Sequence, residues 1–343
     1  MKAMNTLQKY SSPTSLGKRI TVALLVFAVW VLAVWVSLSV GASEVTVSDG
    51  VKAMLDGDRE SAAYRILFHV RLPRVLGALL AGSALAVSGV IIQAVLNNPM
   101  AAPNLIGVNA GAGFFTIVTM AIFPQFIRFL PLSAFAGALL TAFLIYAVSA
   151  LSGAGRITVT LVGIAVGSIL TAGINTVKIL FPDSVWDVTG FLIGGLSSAD
   201  LPSVISAAVM IVPSLIIAVI FSRVLDVLSL GEEMALGLGI KVKRTRLLWL
   251  ALSAVLAGAA VSFAGLIGFV GLIVPHIVRR FSGNVHRTLI PCTILGGGVF
   301  LLLADTVSRV IFSPYELPVG ILLSLVGGPF FIILILTERR GER

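Results

Sequence analysis

The chain has 343 residues, of which 58% are hydrophobic and only 11% charged, whereas water-soluble domains carry about 25% charged residues. So few charges cannot build a solvated surface, which excludes a soluble enzyme; the formal net charge of +9 is spread over short segments between apolar runs, not gathered in the single patch that nucleic acid would need. The one cysteine, Cys292, excludes a disulfide within the chain and any CxxC metal or redox motif.

A bilayer crossing takes about 20 mostly apolar residues. Apolar length and breaker residues predict about ten spans, near 20–41, 73–95, 104–123, 131–152, 158–181, 203–222, 245–264, 266–280, 287–311 and 317–337. The first is too long for a removed signal peptide and lacks a small-residue cleavage site. The eighth is short and interrupted by Pro275. The prediction is therefore an all-α membrane protein with one transmembrane domain over 20–337, a segment 1–19 before it and a tail 338–343 after it. An even number of spans puts both termini on one side. The Lys and Arg residues of loops and ends fall about two to one on that side, which marks it as the cytoplasm.

The second span carries Leu80-Ala81-Gly82-Ser83-Ala84-Leu85-Ala86-Val87-Ser88-Gly89, and the seventh carries the similar Leu256-Ala257-Gly258-Ala259-Ala260-Val261-Ser262-Phe263-Ala264-Gly265. The same offset pairs Pro99 with Pro275. The copies are offset by five spans, and an odd offset means that the second copy enters the membrane from the opposite face. Such an inverted repeat is common among transporters whose pathway runs between related halves. Gly82, Ala86 and Gly89 are spaced for close packing of helix backbones in lipid. Asn97-Asn98-Pro99, after the second span, reads as turn chemistry.

Ionisable residues inside a membrane are costly and persist where they are used. The clear case here is Asp305 in the ninth span, with Arg309 four residues later on the same face, spaced for an i,i+4 ion pair. A proton relay would need further acids along the path. The chain has no GxxxxGK[ST] phosphate loop, so a pathway built from it would draw its free energy from a partner. His276 beside arginines is a poor metal ligand. Trp186, with Asp183 and Asp187, lies in the loop after the fifth span, where an aromatic residue suits either the membrane interface or a partner.

Four segments together are specific: Arg71-Leu72-Pro73-Arg74; QAVLNNPMAAPNLIGVNAGAG from Gln93 to Gly113; GLIGFVGLIVPHIVRR from Gly265 to Arg280; and LADTVSRVIFSPYELPVGILLSLVGG from Leu303 to Gly328. In this order and spacing the chain resembles the FecCD family of ABC importer permeases, whose members carry iron-siderophores, haem and cobalamin. The resemblance implies a type II importer permease fold of ten helices. It further implies a second permease subunit with the pathway on the two-fold axis, two ATP-binding cassette subunits that hold ATP and Mg, and an extracytoplasmic binding protein that delivers a metal chelate. No cofactor is expected on this chain, and its localisation would be the bacterial inner membrane.

Three sets of residues follow from the resemblance. Arg71, Arg74 and Arg309 would meet acidic residues of the binding protein, a role suited to guanidinium groups that hold carboxylates through paired hydrogen bonds; snorkelling at a helix end is the alternative. The loop near 228–244 would couple to the ATPase through Gly231, Glu232, Glu233, Met234, Ala235, Leu236, Gly237, Leu238 and Gly239, a stretch that can make one or two turns of helix broken at glycines. The fifth and tenth spans would line the pathway, with Thr160, Ser168, Thr171 and Asn175 as a polar stripe and a gate at Gly155, Arg156 and Thr158. Each polar residue of the stripe could equally bond a neighbouring helix. The rival to an ATP-driven importer is an ion-coupled secondary transporter.

Overall fold

The computed structural model describes residues 16–41, 45–103, 107–151, 156–182, 186–313 and 315–341. Among them there are helices and turns but no strand. In chain order the helices are α1 (Leu16–Ser39), α2 (Val47–Leu55), α3 (Ala62–Arg65), α4 (Leu72–Leu96), α5 (Val108–Ile122), α6 (Leu130–Leu151), α7 (Arg156–Leu180) and α8 (Trp186–Ile193), then α9 (Leu201–Ile220), α10 (Ser222–Ser229), α11 (Glu232–Gly237), α12 (Val242–Ala264), α13 (Val270–Ser282), α14 (His286–Val310) and α15 (Val319–Gly341). Each of the ten expected spans coincides with one of these helices. Six of them, α4, α6, α7, α9, α12 and α14, are long and apolar enough to cross a membrane, and α4 carries α3 with it in one continuous rod through a π-helical segment, Ile66–Arg71.

Local chemistry sets the ends. Pro73 lies in the first turn of α4, where its missing N–H costs no bond. Asn97 closes that helix in the left-handed region (φ 45°), and Asn98 N donates back to Gln93 O. Asn tolerates this conformation better than other non-glycine residues. Asp200 caps α9 by accepting from Ser203 N at 3.1 Å. Thr46 and Asp49 form a reciprocal capping box at the start of α2.

The centre of the molecule is α4. In its most apolar stretch 83% of residues are buried, against 17% for α7, which places α4 inside and α7 on an open face. Helices α14, α12, α13 and α9 surround it. Lipid tails are as apolar as the side chains, so helices in a bilayer gain from backbones that approach closely at small residues. Gly82 on α4 lies against Gly297 on α14 so tightly that a Cβ on Gly82 would overlap the Gly297 carbonyl. Gly89 meets Gly271 on α13 in the same way. Ser88 and Ser253 tie α4 to α12 at mid-depth, their hydroxyl oxygens 2.7 Å apart.

The inverted repeat is visible in these contacts. Gly82 and Gly258 hold corresponding positions in the two copies. Gly82 packs on α14, the ninth span, and Gly258 packs on α6, the fourth, where a Cβ on it would lie 3.0 Å from Ala138 Cβ. The fourth and ninth spans are themselves related by the repeat, so each half sends its central helix into the other.

Candidate functional site

Functional residues fall at three places: the face where α4 begins and α14 ends, the opposite face where α4 ends beside α10, and the open side of α7.

At the first face Arg71, Arg74 and Arg309 converge with Asp305. The three arginines are only 4%, 6% and 3% exposed there. Arg71 donates through Nη1 to Leu38 O (2.7 Å) and Val45 O (2.9 Å), closing the end of α1. Arg74 Nε donates to both oxygens of Asp305 (3.1 and 3.0 Å), and its Nη1 donates to Glu316 Oε2 at 2.6 Å. Arg309 donates to Val40 O, Ser37 O and Ser37 Oγ, and its Nε lies 3.3 Å from Asp305 Oδ2 in the expected i,i+4 ion pair. The arginines turn inward because each finds carbonyls or a carboxylate there, and a buried guanidinium must be fully paired. Sequence reasoning located Asp305 but missed Glu316, which lies in the connection between α14 and α15, remote from Arg74 in sequence.

At the opposite face the expected short helix is present. α11 is flanked by Gly231 (φ 104°) and Gly239 (φ 81°), conformations that side-chain-bearing residues rarely adopt. Met234 and Leu236 on it and Leu238 just after it face the outside, 60%, 57% and 63% exposed, while Ala235 is fully buried. Glu232 pairs with Arg246 at 3.0 Å, and Glu233 and Gly237 are exposed. A neighbouring cleft of about 610 Å³ is lined by Gln93, Asn97, Asp226, Arg279 and His286 among others. Asp226 on α10 accepts from the backbone N of His286 (2.8 Å) and faces its Nδ1 (2.7 Å), fastening α10 to the start of α14. Arg279 Nη1 donates to Gln93 Oε1. No part of this cluster was read from the sequence, since its members lie on four separate helices.

On α7, Ser168, Thr171 and Asn175 line an open groove of about 530 Å³, floored by Gly107, Gly163 and Gly167. The hydroxyls of Ser168 and Thr171 donate to the carbonyls of Ile164 (2.9 Å) and Gly167 (2.8 Å). Satisfied in this way, they offer the groove a mildly polar wall. Thr160 lies outside that groove and is half-buried. Of the expected gate, Gly155 lies outside the described residues, Arg156 is the first residue of α7, and Thr158 is half-buried in the first turn. Trp186 begins α8, whereas Asp183 lies outside the described residues. His276 sits edge-on to Phe330 of α15, ring centroids 5.9 Å apart.

An all-helical, multi-pass membrane protein whose inverted halves exchange their central helices, with a weakly polar groove along an open flank and an apolar-studded helix at one face, is a transport permease. Its residues 28–337 match the FecCD transport family, and the chain belongs to that family. It is 35% identical over 335 residues to the Fe(3+)-citrate import system permease protein YfmD of Bacillus subtilis, covering 97% of this chain and 98% of that protein. It is also 35% identical over 322 residues to the hemin transport system permease protein HmuU of Yersinia pestis, covering 90% and 95%. Among solved structures, an inward-facing conformation of an ABC transporter assigned to the metal-chelate type superposes with a TM-score of 0.81 at 29% identity, covering 92% of this chain and 99% of that one.

Proposed function

We propose that the chain is the transmembrane subunit of an ATP-driven importer that moves a metal chelate inward, with an iron chelate as the first expectation and haem or cobalamin as alternatives. The chain itself binds no cofactor; a pair of ATP-binding cassette subunits holds ATP and Mg. The observation that carries this reading is α11. Three large apolar side chains stand exposed on a six-residue helix and the residue that follows it, held between two glycine turns, which is the form of an anchor for a partner's groove. Met234, Leu236 and Leu238 fill pockets on the ATPase, and the ion pair of Glu232 with Arg246 holds the segment in register.

The open flank of α7 supports a second permease subunit covering it, so that the groove at Ser168, Thr171 and Asn175 becomes part of an enclosed pathway with α15, gated near Gly155, Arg156 and Thr158. The Lys and Arg bias supports an orientation with both termini and α11 in the cytoplasm of a bacterium and the arginine face outside. A binding protein then docks over Arg71, Arg74 and Arg309. Because these side chains are buried, they act through the shape of the mouth they hold together, with their charge contributing to orientation and encounter rate.

The test is uptake into proteoliposomes holding the chain with its ATPase and binding protein. ATP-dependent accumulation of a ferric chelate that disappears when Gly231–Gly239 is deleted supports the assignment. Uptake driven by an ion gradient without any ATPase supports a secondary transporter and overturns it.

A further inference from the structure

Helix α15 is held to its own chain by one narrow stripe. At its start, Gly320 N donates to Gly194 O at 3.0 Å, and a Cβ on Gly320 would overlap the carbonyls of Ile193 and Gly194. Two turns later Gly327 receives the ring of Phe269: a Cβ on Gly327 would overlap ring atoms and lie 2.7 Å from Phe269 Cβ. One turn further, Phe330 meets His276. Away from this stripe Leu325, Val326, Ile332, Ile333 and Leu336 are exposed.

Phe269 is held in an unusual state. Its φ of 65° and ψ of −21° are left-handed, and among the described residues only Asn97 shares a positive φ without being glycine. For a bulky residue such a conformation is unfavourable and persists where its surroundings impose it. Here they do. On one side Leu266 N donates to Phe191 O (3.0 Å) and Gly195 N to Ala264 O (2.9 Å); on the other, Leu272 N and Ile273 N donate to the Phe269 carbonyl as the first turn of α13. The ring is thereby fixed to a rigid backbone junction and projects into α15 where that helix is softest. Gly327-Gly328 weakens the helix, and Pro329 removes a donor and crowds the preceding turn, a recognised cause of kinks.

We propose that Phe269, seated in the notch at Gly327, is the positioning residue about which the far half of α15 bends during transport, with Gly320 as the fixed end and Gly327-Gly328-Pro329 as the hinge. This rests on the reading of α15 as a pathway helix.

The experiment uses the full chain with its ATPase in lipid nanodiscs, Cys292→Ser as background, and labelled chain diluted with unlabelled. Spin labels replace Phe281 on α13 and Leu336 on α15, both exposed, and a control pair replaces Leu76 on α4 and Val307 on α14. Gly327→Ala is expected to displace the α13–α15 distance distribution, leave the control pair unchanged, and lower transport per ATP hydrolysed. Adding Phe269→Ala, which removes the two ring atoms closest to that Cβ, is expected to restore both in part. Where Gly327→Ala does not accumulate, Phe269→Gly relieves the backbone and empties the notch, and is expected to broaden the same distribution. Wild-type distances in Gly327→Ala or Phe269→Gly, or a double variant no better than the single one, overturn the pivot. If the importer assignment itself is wrong, the unsubstituted chain shows no ATP-dependent distance change, while the nucleotide-free distributions still judge the pivot.

Discussion

Arg74 Nε lies 3.1 and 3.0 Å from the two carboxylate oxygens of Asp305, joining the start of α4 to the end of α14 with both side chains buried. Arg309 shares the same carboxylate, so one acid answers two arginines. Removing that acid leaves two buried cations without it. Asp305→Ala is expected to cost about 3–5 kcal/mol, the usual penalty for breaking a buried pair, read as a lower unfolding midpoint in detergent. Glu316→Gln, at a side chain that is itself 34% exposed, is expected to cost far less.

The glycine contacts of α4 predict a graded series. Gly82→Ala places a methyl group on the Gly297 backbone and is expected to destabilise by about 1–3 kcal/mol, as overpacking does. Gly258→Ala, at the corresponding position of the other copy, meets only a methyl group at 3.0 Å and the edge of Phe135, and is expected to be milder. Thermal unfolding of the two variants side by side checks the order.

The exposed anchors of α11 should separate stability from assembly. Replacing Met234, Leu236 and Leu238 by Ser is expected to leave the unfolding midpoint within about 0.5 kcal/mol of the parent, as for surface changes. Co-purification of the ATPase is expected to be lost. Retained co-purification at unchanged stoichiometry would remove α11 from the interface.

The groove on α7 invites a steric test. Ser168→Leu and Thr171→Leu add apolar bulk on a flank that is exposed in the single chain, so folding should survive while chelate uptake falls. Each serine or threonine replaced by Ala instead should retain uptake, because those hydroxyls donate to their own helix.

Asp49 supplies a pH dependence outside the membrane spans. Hydrogen bonds from the Thr46 side chain and backbone hold its carboxyl below the ordinary value of 3.8. A depressed folded value means that the carboxylate stabilises α2 above the unfolded value and ceases to do so as pH falls through the folded one. The protection of amides in residues 47–55, taken relative to each amide's intrinsic exchange rate at the same pH, should therefore fall under acid conditions, and Asp49→Asn should show lower protection at neutral pH as well.

The number of spans and the repeat were legible because lipid demands long apolar runs and because Gly and Ala must recur where backbones touch; the LAGSALAVSG and LAGAAVSFAG stretches announced Gly82 and Gly258 directly. The short helices α2, α3, α8 and α10 were not foreseen, since none is long enough to leave a periodic signal. For Arg71, Arg74 and Arg309 the sequence located the face but not the direction of the side chains. An arginine at a helix end can reach out to water or back to carbonyls, and the carbonyls of α1 and the carboxylate of Glu316 that decide the matter lie far away along the chain. The cluster of Gln93, Asp226, Arg279 and His286 was hidden for the same reason.

The exchange of central helices between the halves bears on biogenesis. As the polypeptide leaves the ribosome, α4 enters the bilayer long before α14 has been made, and its glycine notch has nothing to receive until nearly the whole chain is inserted. A product truncated after α9 would hold an orphan helix rich in small residues, with poor packing against lipid and every reason to be cleared by quality control. Two fragments severed between α9 and α12 should be stable only when made together, since neither carries its own missing wall.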